Sequence, residues 1–345
     1  MRSRIKKHYV TKFITLYRYN IHIYISNKIT VFYCKNITQY LSLSRKSEIR
    51  QIMKQFFCKS IFTISIIISM FLNYNKSNAM GITERDKTYD IGICTDKGKV
   101  NPENEDTCGI FSIGQDIVCV VCDGVGGSAA GSTASRTAFG AVKEYLENNG
   151  LGSGLVEINK NLAASFTFAD KKVREIAASD SLLKGMATTC LVAVIRNDTL
   201  YYAHAGDCRL YTGDFSKLEQ MTEDDSYINM LLADGEITKR EAKRHPLRRA
   251  IINAIGSKSN ELYVNSCENG VPIQDDTYYL MCSDGLYEEL SVKRIRKIIK
   301  QNAKKDSNSI SKELVQSANK AGGNDNISVI LILFPYIIYI LQIHL

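Results

Sequence analysis

From Tyr89 onward, short apolar runs bounded by glycine and acidic turn residues alternate with longer stretches of helical period. The first run, Tyr89–Thr95, alternates like a strand and stops at Asp96-Lys97-Gly98-Lys99, and Thr107–Ile113 and Ile117–Cys122 read as two more strands. A helix follows Gly127 and reaches about Glu147, with Ala134, Ala138, Val142 and Tyr145 or Leu146 on one face. After the break at Gly150–Gly154, a second helix over Val156–Ala178 carries Ile158, Leu162, Phe166, Val173 and Ile176 or Ala177 as its stripe. Three strands come next, Thr188–Ile195, Thr199–Ala205 and Cys208–Thr212, with turns at Asn197-Asp198 and at Gly206-Asp207, the latter read as a hairpin tip. The polar stretch 214–258 contains helical pieces around Ile228–Asp234 and Thr238–Lys243, and its length suggests a functional lobe. Tyr278–Cys282 is again strand-like, Ser291–Asn302 and Ser309–Ala321 are helical, and Ile327–Phe334 is a closing strand halted by Pro335. Helices in pairs between runs of strands predict a layered α+β fold.

Residues 1–79 have a different texture, rich in Ile, Tyr, Lys and Asn. They hold fourteen Lys and Arg against one acid, Glu48, so the rest of the chain carries 30 basic and 35 acidic residues. The basic excess therefore belongs to this leader, and nucleic acid is not expected as a partner. The apolar segment 61–72, preceded by Lys54 and Lys59, resembles a signal peptide beginning at Met53, and is short for a membrane span. The leader reads as upstream sequence ahead of a start at Met80, as a targeting or anchor segment, or as a domain of its own. The apolar tail 336–345 is a second possible extension or anchor. Eight of the ten cysteines follow residue 79, and most lie in apolar runs, where a free thiol behaves as a small hydrophobe. Cys119-x-x-Cys122 sits within one strand, and no second pair follows at zinc spacing. A reducing, cytoplasmic compartment is the expectation, with membrane association or secretion the alternative should the leader be a targeting segment.

The chemistry is suggested by acids at strand ends. Cys119-Val-Val-Cys122 runs straight into Asp123-Gly124-Val125-Gly126-Gly127, so a rigid element holds a carboxylate and Gly124 leaves its own carbonyl open to close approach. Asp284 follows a strand in the same way, Asp325 precedes one, Asp207 sits in a turn, and Glu105-Asp106 lie on a polar loop. Strands of alternating direction can gather these groups at one edge. Clustered carboxylates repel, and an oxygen-only donor set with no His or Cys beside it favours Mg²⁺ or Mn²⁺ over zinc. Paired ions of that kind activate water for attack on phosphorus. His204 lies on a strand and reads as a packed histidine.

Thr95-Asp96-x-Gly98, Asn104-Glu105-Asp106, Asp123-Gly124-Val125-Gly126-Gly127, Met186-Ala187-Thr188-Thr189, His204-Ala205-Gly206-Asp207-x-Arg209, Ser283-Asp284-Gly285-Leu286 and Asp325-Asn326 follow one another in the order seen in the metal-dependent serine/threonine protein phosphatases of type 2C. The chain resembles that family, in its compact bacterial form, over residues 90–333. The resemblance implies a four-layer αββα sandwich, two antiparallel sheets between helix pairs, over a domain of residues 80–335 with a flap at about 214–258. It implies hydrolysis of phosphoserine and phosphothreonine in proteins by water activated between two Mg²⁺ or Mn²⁺ ions, with no covalent intermediate. Asp123 would touch both ions, the Gly124 carbonyl one of them, and Asp284 and Asp325 the other. Asp207 would join Asp284 at a third, weaker site, and Glu105 and Asp106 would orient bound water. Phosphoprotein substrates, an opposing Ser/Thr kinase and a monomeric state are the implied partners and assembly, with membrane contact only if 61–72 or the tail is an anchor.

Three positions depart from the family pattern. Asn101 stands where the family usually has an arginine that clamps the substrate phosphate, so weak phosphate binding or a substitute cation such as Lys97 or Lys99 is expected. Val125 replaces the histidine of the eukaryotic branch, and Asp225 replaces a common histidine. A pseudophosphatase that binds phosphoproteins without turnover is the alternative reading, favoured by Asn101 alone.

Overall fold

The chain divides into two units, Met1–Arg85 and Asp86–Leu345. The computed structural model describes residues 89–334 of the second, except 215, 258–260, 268 and 275–276. The readings made above for the leader and for the tail lie outside the described residues.

Two antiparallel sheets make the centre. One has the order β1 (Asp90–Asp96), β12 (Ile327–Leu333), β11 (Tyr278–Cys282), β7 (Arg209–Gly213), β8 (Leu218–Gln220). The other runs β10 (Val271–Pro272), β6 (Thr199–Ala205), β5 (Cys190–Arg196), β3 (Asp116–Val125), β2 (Asp106–Ile113), with β9 (Asn265–Ser266) against β6 and β4 (Ala187–Thr188) against the end of β3. Side-chain alternation sorts their residues into three cores. Val118, Val120, Cys122, Val192 and Val194 face out and pack with α1 (Ser128–Asn149) and α2 (Leu155–Ser179). Tyr278, Leu280, Cys282, Val329 and Leu331 face out on the other sheet, beneath α6 (Val292–Gln301) and α7 (Ser307–Ala321). Cys119, Val121, Leu191, Ala193, Met281, Ile330 and Ile332 face inward and fill the gap between the sheets. This is the αββα sandwich, four layers with one core at each junction.

The same alternation puts Cys119 and Cys122 on opposite faces of β3, so the pair cannot close on one metal ion. Asn197 and Asp198 both take positive φ, 48° and 58°, as a two-residue turn between paired strands requires. Two sequence expectations are corrected. β3 does not stop before Asp123 but continues to Val125, because Ala187–Thr188 supplies a partner strand for Gly124 and Val125. The Gly206-Asp207 turn is not a hairpin tip. β6 lies in one sheet and β7 in the other, and the turn carries the chain across the gap. Within 214–258, α3 (Tyr227–Ala233) and α4 (Lys239–Ala242) occupy the expected helical positions, while Leu218–Gln220 forms a sheet-edge strand that has too few residues for a readable period. No helix among the described residues is long and apolar enough to cross a membrane.

Candidate metal centre

Both sheets bring their chain ends to one rim. Asp106, at the start of β2, lies directly opposite Asp123 near the end of β3. Directly opposed residues of an antiparallel pair share a face. Here that face is the one between the sheets, since Cys108, Cys119 and Val121 point there. On the facing sheet, the end of β11 and the start of β12 present Ser283 and Ser328 in step with Met281 and Ile330. The inner faces thus turn from apolar to polar as they reach the rim. Ser283 Oγ donates to Asp106 Oδ2 across the gap (2.7 Å), and Ser328 N donates to Ser283 Oγ (2.9 Å). Asp284, the next residue, opens the one-turn helix α5 (Asp284–Tyr287) rather than ending a strand.

The other acids are positioned as tightly. Glu105 N donates to Asn326 Oδ1 (2.8 Å), while Asn326 Nδ2 donates to the carbonyls of Lys97 and Glu103, so one buried amide clips the 97–105 loop to the start of β12. The Glu105 carboxylate rests against the first turn of α1, where the helix dipole favours negative charge. A Cβ placed on Gly131 would lie 1.8 Å from Glu105 Oε2 and 3.0 Å from the Gly124 carbonyl oxygen, so this contact exists only because residue 131 is glycine. Asp325 Oδ1 accepts from Asn101 Nδ2 (2.8 Å) and from Asn326 N (2.9 Å). Tyr287 Oη donates to the Asp207 carbonyl (3.1 Å) and to Asp207 Oδ2 (3.2 Å).

The electrostatics record the crowding. Burial, and then the charges of Asp106, Asp284, Asp207 and Asp325, push the Asp123 carboxyl well above its ordinary value. Burial together with Asp207, Asp325 and Asp106 does the same to Asp284, which Arg249 partly relieves. Burial raises Asp106 to about 6, and burial with the nearby Asp224 raises Asp207 to about 6. Glu105 is raised by burial and by Asp325. Such a cluster is stable at neutral pH only with cations or protons bound.

Two observations match it to hard divalent ions. Asp106 Oδ1 and Asp207 Oδ1 are buried and receive no hydrogen bond, which is costly for an oxygen that nothing else satisfies. The donor set is carboxylates and a carbonyl, the chemistry of Mg²⁺ or Mn²⁺. Among the described residues no three His, Cys, Asp or Glu side chains are close enough to hold an ion unaided.

His204 is buried in the sheet, its imidazole held mainly neutral by burial, as expected of a packed histidine. Val125 is exposed at the rim. Lys97 Nζ donates to the Pro102 carbonyl (3.4 Å), and among the described residues no ion pair joins Lys97 or Lys99 to a site carboxylate. The sequence pattern included Ser283 only as the first residue of the Ser283-Asp284-Gly285-Leu286 motif, and it did not single out Gly131, Tyr287 or Arg249. None has a signal of its own, since each matters through partners far along the chain.

Residues 97–331 match the protein phosphatase 2C family. A serine/threonine phosphatase of Listeria welshimeri is 32% identical over 240 residues, covering 69% of this chain and 93% of the relative. Protein phosphatase PhpP of Streptococcus pneumoniae is 29% identical over 245 residues, covering 70% and 96%. The fold superimposes on the serine/threonine phosphatase of S. agalactiae with a TM-score of 0.67 at 29% identity, over 72% of this chain and all of the other. The catalytic domain of PstP, solved with two manganese ions, gives 0.59 at 25% identity, over 71% and 98%. A sandwich whose two sheets bring their acids to one shared rim, and a family match running from the first of those loops to the last strand, have one reading: the chain belongs to the protein phosphatase 2C family.

Proposed function

We propose that this chain hydrolyses phosphoserine and phosphothreonine in proteins, using Mg²⁺ or Mn²⁺. The observation that carries this is the convergence of Asp106, Asp123, Asp207, Asp284 and Asp325 on one rim, where burial and the neighbouring charges push Asp123 and Asp284 well above their ordinary values and two buried carboxylate oxygens lack donors. Asp123, the Gly124 carbonyl, Asp284 and Asp325 would hold two ions, and Asp207 with Asp284 a third. Bound there, such ions supply Lewis acidity that makes water acidic and stabilises the phosphoryl oxygens. Glu105, fixed through Asn326 and the first turn of α1, and Asp106, fixed by Ser283, orient the attacking water. A thiol route is disfavoured. Burial holds Cys119 and Cys108 up at about 12 and Cys208 well above its ordinary value, so these thiols stay protonated.

The reaction implies a Ser/Thr kinase working in opposition. The eight described cysteines are all free, which supports action in a reducing, cytoplasmic compartment, and we read the enzyme as a monomer. The test is turnover of p-nitrophenyl phosphate. We expect activity with Mn²⁺, none with EDTA, and a loss in Asp284→Asn exceeding the roughly 10–100-fold typical of a supporting partner. EDTA-insensitive turnover, or wild-type rates in Asp284→Asn, would overturn the reading.

A further inference from the structure

A phosphate dianion approaching five carboxylates needs positive charge from the protein as well as from bound ions. Asn101 has none to offer, and its amide is engaged with Asp325 Oδ1. Arg209 is nearby but committed. Its Nε and Nη2 bond Asp224, its Nη1 reaches Tyr211 Oη (3.2 Å), and its guanidinium stacks 3.4 Å from the Tyr287 ring centre.

Arg249 is placed differently. Its Nη1 lies 3.9 Å from Asp325 Oδ2, the oxygen that Asn101 leaves open, and its charge is felt at Asp284. Among the described residues its close partner is Glu288, at 3.0 Å from Nη2 and 3.3 Å from Nε. Arg248 shares that same carboxylate oxygen at 3.5 Å. Two guanidiniums on one carboxylate leave a net positive charge, and the Arg249 side chain is 45% exposed at the mouth of the site. The backbone beneath it is anchored. Tyr227 N donates to the Ala250 carbonyl (2.8 Å), Ile251 bridges Ser226, and Ile252 N donates to the Asp225 carbonyl (2.9 Å). A fixed root with a loosely held, planar, two-pronged cation is what bidentate capture of a phosphate requires.

We infer that Arg249 binds the substrate phosphate, exchanging Glu288 for phosphate oxygens and doing from the 214–258 lobe what Asn101 cannot do from its own loop. This rests on the phosphatase reading. Were the Arg249–Glu288 pair only a strut, removing either partner would have the same effect; as a phosphate cation held in reserve, the two removals act in opposite directions.

The experiment uses the full chain with Mn²⁺ and p-nitrophenyl phosphate, with inorganic phosphate as competing product. Arg249→Ala should raise KM and the inhibition constant of phosphate about tenfold or more, with kcat changed far less. Glu288→Gln should lower both constants, and Asn101→Arg should lower KM in the Arg249→Ala background. Unchanged KM and phosphate inhibition in Arg249→Ala, or parallel losses in Arg249→Ala and Glu288→Gln, would overturn the inference. Should Arg249→Ala fail to fold, the direction of the Glu288→Gln change still decides. An inactive wild type would instead remove the phosphatase reading itself.

Discussion

Two glycines of one helix meet different surroundings. Ala at position 131 would place a methyl group 1.8 Å from Glu105 Oε2, beside the Gly124 carbonyl. At exposed position 140 of the same helix, an added Cβ meets nothing within 4 Å. Helix propensity alone favours alanine at both. We expect Gly140→Ala to stabilise by roughly 0.5–1 kcal/mol with unchanged kinetics. Gly131→Ala should instead displace Glu105, and an ångström of misplacement in a catalytic constellation is worth up to about 100-fold in rate. Thermal melts and p-nitrophenyl phosphate kinetics on both variants check this, and equal behaviour would show that the Glu105 contact has no consequence. A sequence shows both residues only as helical glycines. What separates them is a loop more than twenty positions away that comes to lie over one and not the other.

At the level of elements, the turn that carries Asp207 from one sheet to the other has a dedicated support. Asp225, buried in the lobe, accepts from Gly206 N (2.9 Å), Asn253 Nδ2 (2.7 Å) and Asn265 Nδ2 (2.8 Å). Its departure from the common histidine is thereby explained, because these three donors all need an acceptor. Removing it in Asp225→Ala leaves buried donors that cost about 1–3 kcal/mol each, so a loss on the order of 3 kcal/mol or more is expected. Activity should fall with it, since Asp207 loses its fixed turn. A melting temperature within about a degree of wild type would contradict this. The elements themselves were largely legible. Strands β1, β2, β5, β6, β11 and β12 and the four long helices each carry a period of their own, and the acids of the rim follow from where those apolar runs stop. The missed parts lack local signal. β9 and β10 have two residues each, the end of β3 depends on β4, and the contact holding Asp106 spans 177 positions to Ser283.

For the molecule as a whole, the rim is a strain that the sandwich carries in order to hold cations. Asp106 and Asp207 are raised to about 6 in the fold, against about 3.9 for an unfolded aspartate. Between those values the folded chain binds more protons than the unfolded one. The stabilisation from these two groups is therefore complete below about pH 4 and is lost as pH rises through 6. Divalent ions take over the role of those protons at higher pH. At a hundredfold excess over its dissociation constant, a ligand stabilises by about 2.7 kcal/mol, or roughly 5–10 °C for a domain of this size. Melts with EDTA and with Mn²⁺ at pH 5 and pH 7.5 should show the Mn²⁺ shift large at pH 7.5 and small at pH 5. In EDTA, wild type should lose more stability between the two values than an Asp106→Asn/Asp207→Asn double variant, because surface carboxylates common to both cancel in that comparison. Equal Mn²⁺ shifts at the two pH values, or a double variant that tracks wild type in EDTA, would mean that the rim carboxylates are not where protons and cations compete.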